Sequence, residues 1–291
     1  MPPYALFALS AAAGYSIGSL FYKQAMINGG GLFRVTAFLT WAVVLVTGPF
    51  ALLPAPPLPL HLWYQPLIAG ILFLSGQFLF VLALRTGDLS IVGPVAGAKP
   101  ILNALLVSVL LGVSVSVGTW IACLLSATAL IILRSRNAST AHSFLRTAGI
   151  TIASAFCFAL CDTAFQEWAR NWGPMRFSVL TFTCSGLGAC VYIPFFGNSW
   201  SSLTRAARKY LLLGAFFCAL PPLLMGYALG RYGHAPEVNV IYASRAIMSI
   251  LVVRFLGTYV GSSEQHVPRS TFLRRIIGAA ILLFAVVLVL R

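Results

Sequence analysis

Apolar runs of about twenty residues follow one another along nearly the whole chain, separated by short polar connections. A run of that length is what a helix rising 1.5 Å per residue needs to cross a hydrocarbon core about 30 Å thick. In lipid every backbone N–H and C=O must be paired internally, so only helices or closed barrels can span it. Barrel strands would show segments of about ten residues alternating in polarity. These runs do not alternate, and helices are therefore expected. Composition agrees: 59% of the 291 residues are hydrophobic and 8% charged, with mean hydropathy +0.92, against about 25% charged in soluble domains.

Ten spans are expected: Tyr4 to Met26, Phe33 to Leu53, Trp63 to Leu84, Leu89 to Leu111, Val115 to Leu133, Thr147 to Trp168, Phe177 to Phe196, Tyr210 to Leu229, Val238 to Phe255 and Phe272 to Leu290. Breakers mark the connections, among them Asn28-Gly29-Gly30-Gly31, Pro54-Ala55-Pro56-Pro57 and Gly173-Pro174. No gap is long enough for a soluble domain. Met1-Pro2-Pro3 lacks a basic n-region, so the first run reads as a membrane helix rather than a cleaved signal. The expected fold class is an all-α integral membrane protein of ten transmembrane helices.

A net charge of +14 raises the question of nucleic acid. The basic residues lie almost entirely in the short connections, where they orient helices, so no nucleic-acid partner is expected. Six cysteines fall within apolar segments with no CxxC pair, and no His stands at metal-ligand spacing. They read as small buried hydrophobes; neither metal nor cofactor is expected. The expected partners are a small-molecule substrate and the lipid bilayer, with a homodimer left open.

The two halves resemble each other. Arg85-Thr86-Gly87-Asp88-Leu89-Ser90-Ile91-Val92 aligns with Arg231-Tyr232-Gly233-His234-Ala235-Pro236-Glu237-Val238 at a spacing of 146, and Gln24 and Arg34 align with Gln166 and Arg176 at 142. Each half, 1–134 and 147–291, then holds five helices. Five is odd, so the second copy crosses the membrane in the opposite sense, the inverted-repeat plan of many secondary transporters with a substrate site near the midplane.

Ala83 through Val95, with Leu110-Leu111-Gly112 and Gly278-Ala279-Ala280-Ile281-Leu282 in the second copy, resembles the repeat of the drug/metabolite transporter superfamily, EamA-like group. The resemblance implies a ten-helix carrier or exporter of metabolites such as amino acids, nucleotide-sugars or phosphorylated sugars, and names no substrate. It also implies basic residues on helices 4 and 9 as ligands in members that carry phosphorylated sugars. One departure stands out. The acid that often follows the glycine ending those helices is absent: Val113 follows Gly112 and Thr258 follows Gly257, with Glu264 farther along.

Charged residues at a helix centre cost about 2.5–3.5 kcal/mol on insertion scales, so they mark cavities and function. Lys99 and Arg245 lie mid-span and are equivalent at the 146 spacing, which brings them toward one central cavity as ligands for a substrate anion. The bland alternative is permanent pairing with Asp162, Glu237 or Asp88. Asp162, with Gln166 one turn on, is read as a proton-coupling group or a static counter-ion. Arg254, near the end of its span, is expected to snorkel. Tyr15, Ser19 and Tyr22 share a face of the first helix, and Gln77, Asn103 and Tyr242 complete the substrate-binding candidates. Pro100 should kink the fourth span beside Lys99, and Pro221-Pro222 should break the eighth.

The function expected is secondary active transport of a small anionic or zwitterionic metabolite, by alternating access around a midplane cavity, in the plasma (inner) membrane. The alternative is a membrane enzyme acting on lipid or lipid phosphate. Against it, the loops carry few carboxylates and neither HExxH nor GxSxG.

Connections 1–2, 3–4, 5–6, 7–8 and 9–10 hold about twelve basic residues, among them Lys23, Arg85, Arg146, Arg205 and Lys209, against Arg170, Arg176, Arg231 and Arg291 elsewhere. The first set should face the cytoplasm, leaving both termini outside. Terminal reporter fusions active only in the cytoplasm should therefore be silent, and activity from either end would reverse this orientation.

Overall fold

The computed structural model describes residues 1–54, 56–86, 92, 95–133, 141–197, 199–260 and 269–290. Most of the Arg85 to Val95 motif, Asp88, Arg134, Arg136, Glu264 and the side chain of Arg254 lie outside what is described. Among the described residues there is no strand. The helices are α1 (Pro3–Ile27), α2 (Leu32–Thr47), α3 (Tyr64–Thr86), α4 (Lys99–Leu111), α5 (Val117–Ile132), α6 (Ala141–Trp172), α7 (Pro174–Ala189), α8 (Arg205–Tyr232), α9 (Ala235–Tyr242), α10 (Arg245–Val260) and α11 (Arg269–Leu290).

Seven stretches are long and apolar enough to cross a membrane, and Lys99–Leu111, Val117–Ile132 and Ile276–Leu290 are shorter apolar helices. Leu45, Val109, Leu124 and Phe284 point outward at more than half exposure. Water would penalise such a surface, whereas lipid solvates it. The protein is a helical membrane protein.

Two of the expected spans are not continuous helices. Regular structure breaks at Gly97–Ala98, just before α4, and at Ala243–Ser244, between α9 and α10. Pro100 explains the first break, because its ring cannot follow a carbonyl four residues back. The second break has no proline, only small residues. The expected break at Pro221-Pro222 does not occur: α8 runs through both prolines from Arg205 to Tyr232. The carbonyl that Pro221 leaves unpaired, that of Phe217, lies against Gly14 of α1, where an added Cβ would stand 3.4 Å from it.

Without a hydrophobic drive between helices in lipid, close packing of small residues and interhelical hydrogen bonds hold the bundle. α1 lies along α8 and α3 along α6, with α2 and α7 bridging the pairs. Ala5, Ala8, Ala11 and Ala12 of α1 are fully buried. Hydroxyls and an indole reach exposed carbonyls across the contacts: Ser154 Oγ donates to Gly76 O at 2.8 Å, Ser185 Oγ to Gly70 O at 2.9 Å and Trp41 Nε1 to Gly186 O at 3.0 Å.

The tightest seam is α1 against α8. A Cβ on Gly214 would come within 2.8 Å of Tyr22 N, and one on Gly18 within 2.7 Å of Cys218 N. Backbone cannot yield as a side chain would. Gly214→Ala and Gly18→Ala should each cost at least about 1–3 kcal/mol in detergent unfolding, while Gly149→Ala, with no neighbouring atom within 4 Å, should not. Equal stability of all three variants would refute this packing.

Candidate functional site

The helix breaks deliver charged side chains to the middle of the bundle. Arg245 is ten residues past Ala235, about 15 Å along the axis, which is half the thickness of a hydrocarbon core. Lys99 opens α4 in the same way. Among α1, α2, α3, α4, α6, α7, α8, α9 and α10 lies a cavity of about 140 Å³, roomy enough for several waters.

Lys99 faces Asp162 of α6, with Nζ 2.8 Å from Oδ2, and its charge lies 5.5 Å from the centre of the Phe158 ring. The same carboxylate oxygen accepts from Asn239 Nδ2 of α9 at 2.7 Å and from Asn103 Nδ2 of α4 at 3.2 Å. One carboxylate thus ties together α4, α6 and α9. Turning both amide nitrogens to Asp162 leaves the two amide oxygens buried without a donor, a cost accepted to solvate the charge. Lys99 therefore follows the counter-ion alternative rather than standing free for an anion.

Arg245 is different. Its guanidinium carbon lies 4.7 Å from the centre of the Tyr15 ring and 4.6 Å from that of Tyr242. Ring faces stabilise a cation without neutralising it. Among the described residues no carboxylate comes within 4.0 Å of it. Ser249 Oγ donates to Ser16 Oγ at 3.2 Å, tying α10 to α1, and the single Ser16 hydroxyl proton is shared between Ala12 O at 2.7 Å and the Arg245 carbonyl at 3.0 Å.

Of the residues singled out in the sequence, Tyr15, Ser19, Tyr22, Gln77, Lys99, Asp162, Tyr242 and Arg245 all line this cavity. Asn103 does not; it is fully buried behind Asp162, because its face of α4 packs against α6. Gln166 also stands apart, accepting from the Ala235 backbone N–H at 2.8 Å and so capping α9. Glu237 accepts from Thr119 Oγ1 at 2.9 Å, away from both cations. Sequence reasoning missed Asn239, although a lone amide in an apolar run was a usable signal. It also missed the ring lining of Phe73, Phe158, Phe165 and Phe182, which no spacing distinguishes from ordinary core. At the end of the bundle where α1 begins and α8 ends, the Tyr4 ring stacks on His234, while Phe7, Tyr227 and Tyr232 meet one another edge-on or tilted.

Fold and cavity together define a helical membrane protein with a charged, ring-lined chamber inside its bundle. No protein family matches the chain, and no curated protein matches it. A protein of known crystal structure shares the fold, with TM-score 0.72 over 98% of this chain and 95% of its own at 15% identity. At that identity the likeness is one of fold alone.

Removing one partner of a buried ion pair commonly costs about 3–5 kcal/mol, because the other charge is stranded. Asp162→Ala should lose that order of stability in detergent, and Lys99→Met added to it should recover part of the loss, the part that remains being the amides of Asn103 and Asn239 left without their acceptor. A double variant no more stable than Asp162→Ala would show that the pair is not the reason.

Proposed function

We propose that this protein is a secondary active transporter of a small anionic or zwitterionic metabolite, working by alternating access around the midplane cavity. In this reading it has ten spans in two inverted five-helix repeats, 1–134 and 147–291, lies in the plasma (inner) membrane and belongs with the EamA-like drug/metabolite transporters. The observation that carries the reading is the pair of helix breaks 146 residues apart, each followed at once by a cation, with the cavity between them. Broken helices at mid-depth are tolerated where they line a cavity, and carriers use them to meet their ligands.

Other correspondences support the repeat. α2 and α7 are both 16 residues long, are entered through positive-φ glycines (Gly31 at 72°, Gly173 at 81°), and run out into 3-10 turns at Gly48 and Cys190, all at a spacing of 142. Exchange of the halves turns the α1 to α8 contact into that of α6 with α3, and both are extensive. Near the start of α2, Arg34 donates to Phe196 O at 3.4 Å beyond α7; near the start of α7, Arg176 donates to Pro56 O beyond α2. The edge-on and tilted rings of Phe7, Tyr227 and Tyr232 gather at one end, where alternating access calls for a barrier.

Arg245 holds the anionic group of the substrate. Loss of a desolvated charge of this kind costs about 2–5 kcal/mol, roughly 30-fold to several thousand-fold in affinity. Counterflow into proteoliposomes, run with amino acids, carboxylates and sugar phosphates, should show exchange of at least one class. Arg245→Ala should abolish it without loss of membrane expression, and Arg245→Lys should keep part. No exchange of any class by well-folded protein, or full exchange by Arg245→Ala, would end this reading.

A further inference from the structure

We infer that the ligand of this cavity is a monocarboxylate with an aromatic body and no ammonium group; this rests on the carrier reading and narrows its substrate class. Among the described residues the charged groups lining the cavity are Lys99, Asp162 and Arg245. Lys99 and Asp162 neutralise each other at 2.8 Å, which leaves one positive charge, on Arg245. A monoanion cancels it, whereas a phosphate dianion would leave a negative charge in a chamber of low dielectric.

The one carboxylate lining the cavity, among the described residues, is Asp162, the strongest acceptor it could offer a ligand ammonium. Its Oδ2 already takes Lys99, Asn103 and Asn239. A second ammonium on this carboxylate would stand beside that of Lys99, and like charges there repel. An amino acid is thus disfavoured against the same molecule without its amine. The guanidinium has ring faces of Tyr15 and Tyr242 near it, while a planar carboxylate is matched to its N–H fork.

The body of the ligand is set by Phe73, Phe158, Phe165 and Phe182, whose rings form the apolar wall. Tyr22 supplies the last element. It is 93% buried, being 7% exposed; it lines the cavity, and its hydroxyl has no partner. It stands two turns beyond Tyr15 on the same face, about 10 Å along α1. That hydroxyl is closed off from the chamber as the ring stands; a buried hydroxyl left unpaired is costly, and a turn of the ring toward a polar atom at the far end of the ligand would relieve that cost. A hydroxyphenyl alkanoate meets all three requirements.

The test compares 3-(4-hydroxyphenyl)propionate with tyrosine, which adds only the ammonium, and with 3-phenylpropionate, which lacks only the hydroxyl. Binding to the purified full-length protein is read by thermal shift, and uptake by proteoliposomes. The hydroxyphenylpropionate should bind at least tenfold more tightly than tyrosine, and Arg245→Gln should abolish its binding. Tyr22→Phe should weaken the hydroxylated acid severalfold while leaving 3-phenylpropionate unchanged, a selective loss that misfolding cannot produce. Tyrosine binding as well as the hydroxyphenylpropionate, no binding of that acid, or equal loss of both acids in Tyr22→Phe would overturn the inference. Uptake of tyrosine or a sugar phosphate in those cases leaves the carrier reading standing. Binding of the hydroxyphenylpropionate with no uptake of any solute upholds the site and overturns the carrier.

Discussion

Charge at the middle of a hydrocarbon layer must be paired, hydrated or enclosed in protein, and the centre of this bundle is organised around that demand. Asp162 is enclosed by two amide donors and one ammonium, drawn from α4 and α9, so the carboxylate decides where those helices stand relative to α6. The ring faces of Tyr15 and Tyr242 then give Arg245 a site that water need not fill. With one cation neutralised and the other only polarising its neighbours, the chamber keeps a residual charge. That asymmetry sets Arg245 apart from Lys99.

The backbone breaks follow from the same constraint. A continuous α-helix presents its polar groups to itself and leaves a mid-membrane ligand only side chains to meet. Interrupting the helix at Gly97–Ala98 and Ala243–Ser244 places each cation at the head of a new segment, where the helix dipole favours an anion. Such interruptions survive in lipid only when surrounded by protein. The glycine and alanine seams of α1, α3 and α8 provide this cover, because small residues let neighbouring backbones close around the cavity.

Much of the architecture was legible without coordinates. The length of the apolar runs located the helical segments to within a few residues at most ends, since the bilayer sets that length and no other fold can bury such surface. Intramembrane charge marked Lys99, Asp162 and Arg245, because the cost of a buried charge is a local property of the residue and its depth. The polar face of α1 was legible for the same reason, its period being that of the helix itself. Pro100 announced one of the two breaks through covalent geometry.

What only the tertiary structure decided depends on contacts between segments far apart in the chain. Which carboxylate Lys99 takes is a matter of how α4 and α6 pack, and the spacing of 63 residues between Lys99 and Asp162 carries no sign of it. Asn103 and Asn239 solvate that carboxylate instead of a ligand because their faces turn toward α6. The break at Ala243–Ser244 has no proline to betray it, and the prolines at 221 and 222 do not break α8. Composition and periodicity determined that this chain is a bundle of membrane helices with charge at its centre. The pairing of those charges was decided by helix packing alone, since a charge's partner is chosen by distance in space and not by position in sequence.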